Sequence, residues 1–187
     1  GLINERTRVV SVGWVSNVVG TVNPVRRIAD AAHAVGAVMV ADGAQGVPLL
    51  ATDVTELGVD LLAFTGHKIC GPTGIGVLYG RRELLAELPP FLGGGEMIEV
   101  VEMSGSTYAD PPQRFEAGTP PIAQAIGLGA AIDYVSALGM DNIAAHERQL
   151  VEYLLGQLRN VEGVRVLGSD RADGRGGAVS FVLDDVH

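Results

Sequence analysis

Short apolar runs broken by Gly, Pro and charged residues divide the chain into elements. Residues 8–17 alternate and are rich in Val, which predicts a strand. Asn23-Pro24 then offers an N-cap followed by Pro at the first helical position. Val25, Ile28, Ala29, Ala32 and Val35 recur at helical spacing, and Gly36 closes the helix. The continuous apolar run 37–41 follows at once, so strand, helix and doubly buried strand form a βαβ unit of a parallel sheet. That pattern puts Asp42 at the carboxyl end of a strand, where open α/β sheets place their ligands.

Two further buried strands are predicted at 59–64 and 74–79. The connection between them is short, which makes them antiparallel neighbours or joins them through a tight crossing. Residues 81–88 form a short helix stopped by Pro89-Pro90. Residues 91–121 show no sustained period and read as a long loop, of a kind that is usually functional. Helices are expected at 122–138 and 140–159, separated by Gly139, and strands at 164–167 and 178–183 around the polar stretch 168–177. The organisation expected is a large α/β domain over residues 1–126 with a mostly parallel sheet, and the start of a small α+β domain over residues 127–187.

Composition narrows the class. The 187 residues are 47% hydrophobic, enough for a sizeable core. A net charge of −9, with 13 dispersed Lys and Arg, argues against a nucleic-acid partner. A single cysteine, Cys70, excludes an intramolecular disulfide and a Cys-rich metal site; it reads as a buried or half-buried small side chain. The opening residues have no signal-peptide pattern and the apolar runs are too short to cross a bilayer, so a cytoplasmic location with no membrane partner is expected. Both ends fall beside apolar runs, and the chain reads as the central part of a longer protein.

The chemistry concentrates after two strands. Lys68 follows one apolar run in Thr65-Gly66-His67-Lys68, and Asp42-Gly43-Ala44-Gln45 follows another. Taken singly, a lysine after a strand is usually a solvated charge, and Asp-Gly is an ordinary turn pair. Together, an amine and a carboxylate at neighbouring strand ends suit an aldehyde cofactor used as an electron sink, which points to pyridoxal phosphate. Thr65 and His67 could bind its phosphate and Gln45 its phenolic oxygen. Gly71-Pro72-Thr73-Gly74-Ile75-Gly76 lacks the Gly-Lys-Ser/Thr ending of a phosphate loop and reads as a turn. His33 and His146 read as structural or solvated, and Glu96 and Arg114 as loop-locking or dimer-interface residues.

These stretches resemble the class V aminotransferase fold and, within it, the Suf-type cysteine desulfurases. The resemblance runs through Ser16-Asn17-Val18-Val19-Gly20, Ala41-Asp42-Gly43-Ala44-Gln45-Gly46, Thr65-Gly66-His67-Lys68, Gly93-Gly94-Gly95-Glu96 and Arg114-Phe115-Glu116-Ala117-Gly118-Thr119-Pro120, and covers essentially the whole chain. It implies a fold-type I pyridoxal phosphate (PLP)-dependent transferase. Lys68 would be the lysine that holds the cofactor covalently and removes the substrate's α-proton. Asp42 would pair with the pyridine nitrogen, Gln45 with the phenolic oxygen, and Thr65 and His67 with the phosphate. Asn17 would lie beside the ring and the substrate carboxylate, and Thr119 would reach a partner's cofactor phosphate in a homodimer.

The activity implied is conversion of L-cysteine to L-alanine, with sulfur passed as a persulfide to an acceptor protein of the Suf system for iron-sulfur cluster assembly. In that family the nucleophilic Cys and the carboxylate-binding Arg lie C-terminal of the segment matched, and a ring-stacking His and another phosphate-binding Thr precede it. The isolated chain is therefore expected to be inactive. A selenocysteine lyase or another class V enzyme is the nearest alternative. A Rossmann-like nucleotide-binding module, which the absence of Gly-x-Gly-x-x-Gly after the first strand disfavours, and a dimerisation fragment using residues 114–121 come from other classes.

Overall fold

In the computed structural model, which describes residues 1–186, β1 (Val9–Gly13), β2 (Val38–Asp42) and β3 (Leu61–Thr65) run parallel. β4 (Gly76–Gly80) lies antiparallel to β3, and the spatial order is β1-β2-β3-β4. The crossover from β1 to β2 passes through α1 (Val25–His33), whose Val25, Ala29 and Ala32 are buried against the sheet. Met39 and Ala41 of β2 and Leu62 of β3 meet that face in one core. Full burial of Met39, Leu62 or Val25 contributes about 1.5–3 kcal/mol each.

Two expectations for this unit need correction. The first strand ends at Gly13 and does not run to residue 17. Trp14 N–H donates to the Asp42 carbonyl at 2.8 Å, so the chain leaves the sheet where β2 ends, and residues 15–22 fold back with Val15 bridging Val22. Asn23 does not cap α1, whose N-cap position is Pro24 and which has no side-chain cap. Its amide donates instead to the Gly13 carbonyl at 2.7 Å, fastening the start of α1 to the end of β1.

At the amino ends of the strands, Asp60 is 5% exposed and fully engaged. It accepts from Met39 N–H at 2.7 Å, from His33 Nε2 at 2.8 Å and from Arg81 at 2.9 Å. Burial alone pushes the Asp60 carboxyl up. The hydrogen bonds from Met39, His33 and Arg81, with the charge of His33, outweigh it and hold the group below the usual carboxylate range. His33 is therefore structural, as expected.

The connection from β2 to β3 holds a one-turn helix, α2 (Val54–Leu57), capped by Asp53 through the N–H groups of Thr55 and Glu56 and ended by Gly58. α3 (Arg82–Glu87) follows β4. The segment read as an irregular loop contains a hairpin, β5 (Ile98–Glu102) and β6 (Gly105–Tyr108). Nearly all of its residues are exposed, so neither face carries the apolar alternation by which strands are recognised. Arg114 locks this segment to α3, donating to the carbonyls of Ala86 at 2.8 Å and Ala109 at 3.0 Å.

α4 (Ile122–Leu138) and α5 (Met140–Leu158) bend by 74° at Gly139, and neither is long and apolar enough to cross a membrane. Leu128 and Val135 of α4 join the first core. Val151 and Leu155 of α5 form a second with Ala172, beside the hairpin of β7 (Val164–Val166) and β8 (Phe181–Leu183).

Candidate active site

The carboxyl ends of β1, β2 and β3 open onto a cavity of about 350 Å³, a volume suited to a small ligand. Lys68, Asp42, Gln45 and Asn17 all line it. Each arrives by a different local device. Asp42 is the last residue of β2, and its Oδ1 accepts from Ala44 N–H at 2.9 Å. That turn brings Gln45 to the rim, and the remaining Asp42 oxygen has no partner among the described residues.

Lys68 ends a 3-10 turn, Gly66–Lys68, which continues β3. The turn is pinned by Gly66 N–H to the Ile75 carbonyl and by Gly71 N–H to the Gly66 carbonyl, both at 2.9 Å. A Cβ at Gly71 would sit 2.8 Å from that carbonyl oxygen, so only glycine closes the turn. The Lys68 side chain is in no hydrogen bond or ion pair among the described residues. An amine and a half-satisfied carboxylate thus face the same cavity, each with capacity for a ligand.

Thr65 and His67 lie outside the lining. Their hydroxyl and Nδ1 are 2.9 Å apart, a preformed pair on the turn that carries Lys68. Thr119 is exposed and also outside the lining. Cys70 is not the buried or half-buried residue expected. It is exposed with φ of 62°, because the neighbouring Ile69 takes the core position at this turn. Ser16 and Asn23 line the cavity and were missed as site residues. Ser16 Oγ accepts from Val18 and Val19 N–H at 3.2 Å each, which shapes the turn bearing Asn17. Their only signal in the sequence was polarity just beyond a strand.

Comparisons with known proteins agree with this architecture. Residues 1–187 match the family described as Aminotransferase class-V. A probable cysteine desulfurase of Streptomyces coelicolor is 57% identical over 186 residues, covering 100% of this chain and 44% of that protein. The apo structure of a cysteine desulfurase from Thermococcus onnurineus superposes with a TM-score of 0.91 at 40% identity, over 96% of this chain and 45% of the other. C-DES, solved with glycine covalently linked to its PLP cofactor, gives a TM-score of 0.83 at 29% identity over 98% of this chain and 49% of its own. The chain thus spans a little under half the length of the relatives it matches.

Proposed function

The chain belongs to the aminotransferase class-V family, and from that premise we propose that it forms the cofactor-holding part of a PLP-dependent cysteine desulfurase. The observation that carries this reading is the convergence of Lys68 and Asp42 on one cavity from two strand ends. The donor set fits the cofactor group by group. Lys68 is an amine for its carbonyl carbon, Asp42 has an oxygen to spare for its pyridine nitrogen, and Gln45 is an amide for its phenolic oxygen. The Thr65–His67 pair, outside the lining but on the turn that carries Lys68, would serve its phosphate.

Pyridoxal phosphate, when bound, supplies an electron sink for the carbanion formed at the substrate's α-carbon. The residues of the chain do the rest. The Asp42 carboxylate, with one oxygen to spare, would hold the cofactor's ring nitrogen. Lys68 would hold the cofactor through Nζ, and the same amine would serve as the base for the α-proton of L-cysteine. Asn17, also in the cavity lining, would orient the substrate carboxylate. Cys70 lies outside the cavity lining, so no residue of this chain is assigned as the sulfur-accepting thiol.

The reading extends to a homodimer in which Thr119, exposed in the protomer, meets the partner's cofactor. It also extends to a cytoplasmic setting and a Suf-type acceptor protein that carries sulfur to iron-sulfur cluster assembly. The test is borohydride reduction of the intact protein after incubation with pyridoxal phosphate, followed by peptide mass mapping. A reduced adduct confined to Lys68 is expected. An adduct absent, or scattered over other amines, overturns the reading.

A further inference from the structure

Arg175 is 6% exposed and has no acidic partner within ion-pair distance among the described residues. Its guanidinium donates instead to main-chain carbonyls, those of Leu167, Ser169 and Ala178, while Nε is buried without a partner among the described residues. A buried cation held by neutral acceptors alone is an expensive way to shape a loop. The three carbonyls lie on both sides of Arg175 in sequence, so the side chain folds residues 167–178 around itself.

The loop so shaped is zipped to the turn that carries Asn17. Thr21 and Arg175 form an antiparallel bridge, in which Gly176 N–H donates to the Gly20 carbonyl at 2.7 Å and Val22 N–H to the Gly174 carbonyl at 2.9 Å. Ser180 Oγ donates to the Val18 carbonyl, closing the same seam at the tip of the turn. Gly20 has φ of +72°, and a Cβ there would lie 2.5 Å from the Ala178 carbonyl and 2.9 Å from Arg175 Cγ. The contact leaves no room for any other residue. Inside the turn, Gly20 N–H donates to the Ser16 carbonyl at 3.1 Å and Ser16 N–H to the Thr21 carbonyl at 2.9 Å. Residues 18, 20 and 22, all just after Asn17, are therefore held by the segment that Arg175 organises.

We propose that Arg175 is a positioning residue for Asn17, fixing from the C-terminal end of the chain the turn that presents Asn17 to the cavity. This rests on the functional reading above, in which Asn17 orients the substrate carboxylate. Without the guanidinium, residues 167–178 lose their internal anchor, the bridge at Thr21 loosens, and Asn17 samples orientations that do not meet the substrate.

The test is a double-mutant cycle in the intact, pyridoxal phosphate-loaded protein with Arg175→Met and Asn17→Ala, following alanine release from L-cysteine and amide exchange of residues 18–22. Arg175→Met is expected to raise KM about tenfold, the scale of one lost hydrogen bond, with kcat within about twofold. In the Asn17→Ala background the same change should alter KM less than about twofold, since its route is already removed. Exchange at residues 18–22 should quicken.

An unchanged KM, an equal factor in both backgrounds, or unaltered exchange overturns the proposal. Should Arg175→Met not fold, Arg175→Lys, which keeps the buried stem and charge but not the fork, carries the same cycle. A wild-type protein that forms no Lys68 adduct indicts the functional reading instead, and the exchange measurement still decides whether Arg175 holds the turn.

Discussion

Two aspartates sit at opposite ends of one sheet and divide its labour. Asp60, at the amino ends of the strands, is buried and accepts from a backbone N–H, a histidine and an arginine drawn from α1, β2 and the end of β4. Asp42, at the carboxyl ends, is exposed and accepts one local N–H. A saturated carboxylate has nothing left to give a ligand, and its removal strands three donors. An unsaturated one contributes little to the fold and keeps its capacity for a partner that is not protein. The same residue type is spent on the fold at one end and left with capacity for a ligand at the other.

The sharpest way to break this contrast is to remove the charge at each end in turn. Asp42→Asn should lower the proposed desulfurase activity of the intact protein by about 10²–10³-fold, the usual scale for a lost electrostatic partner, and leave its urea midpoint unchanged. A shifted midpoint would make Asp42 structural after all. Asp60→Ala should do the reverse, lowering unfolding stability by about 3 kcal/mol in urea titration, while Lys68 still accepts the cofactor in whatever protein is folded. Loss of the Lys68 adduct from folded Asp60→Ala protein would show that the two ends are not separable.

The smallest effect is in pH. Because the folded Asp60 carboxyl titrates below its unfolded value, its stabilisation is fully present above the unfolded carboxylate range. It is lost as pH falls from about 4 through the folded value. The wild type should therefore show an acid-limb slope in its urea midpoints that Asp60→Asn flattens. Parallel limbs would mean that other carboxylates set it.

What could be read from the sequence follows from how local each cause is. β1, α1 and β2 announce themselves because Val25, Ala29 and Ala32 repeat at helical spacing beside a fully apolar run. Asp42 and Lys68 could be placed at strand ends because those runs stop where they begin. The short helix α2 escaped notice, although Asp53 and Glu56 have the spacing of a capping box. The exposed hairpin at 98–108 carries no alternation to detect. Asn23 was misassigned since a side chain that caps a helix and one that ties it to a strand look alike in one dimension. Arg175 stood in a stretch read only as polar, and its role depends on Gly20, nearly the whole chain away.

The seam between residues 20–22 and 174–176 also sets a schedule. During synthesis the strands, α1 and the Asp60 cluster can assemble from residues already made, whereas closing a loop of this length comes late. Pulse proteolysis of ribosome-bound chains of increasing length should find the segment around Asn17 protected only after residues 174–176 have emerged. A ribosome can therefore carry a well-formed sheet with Asp42 and Lys68 in place, and still not carry a finished binding site.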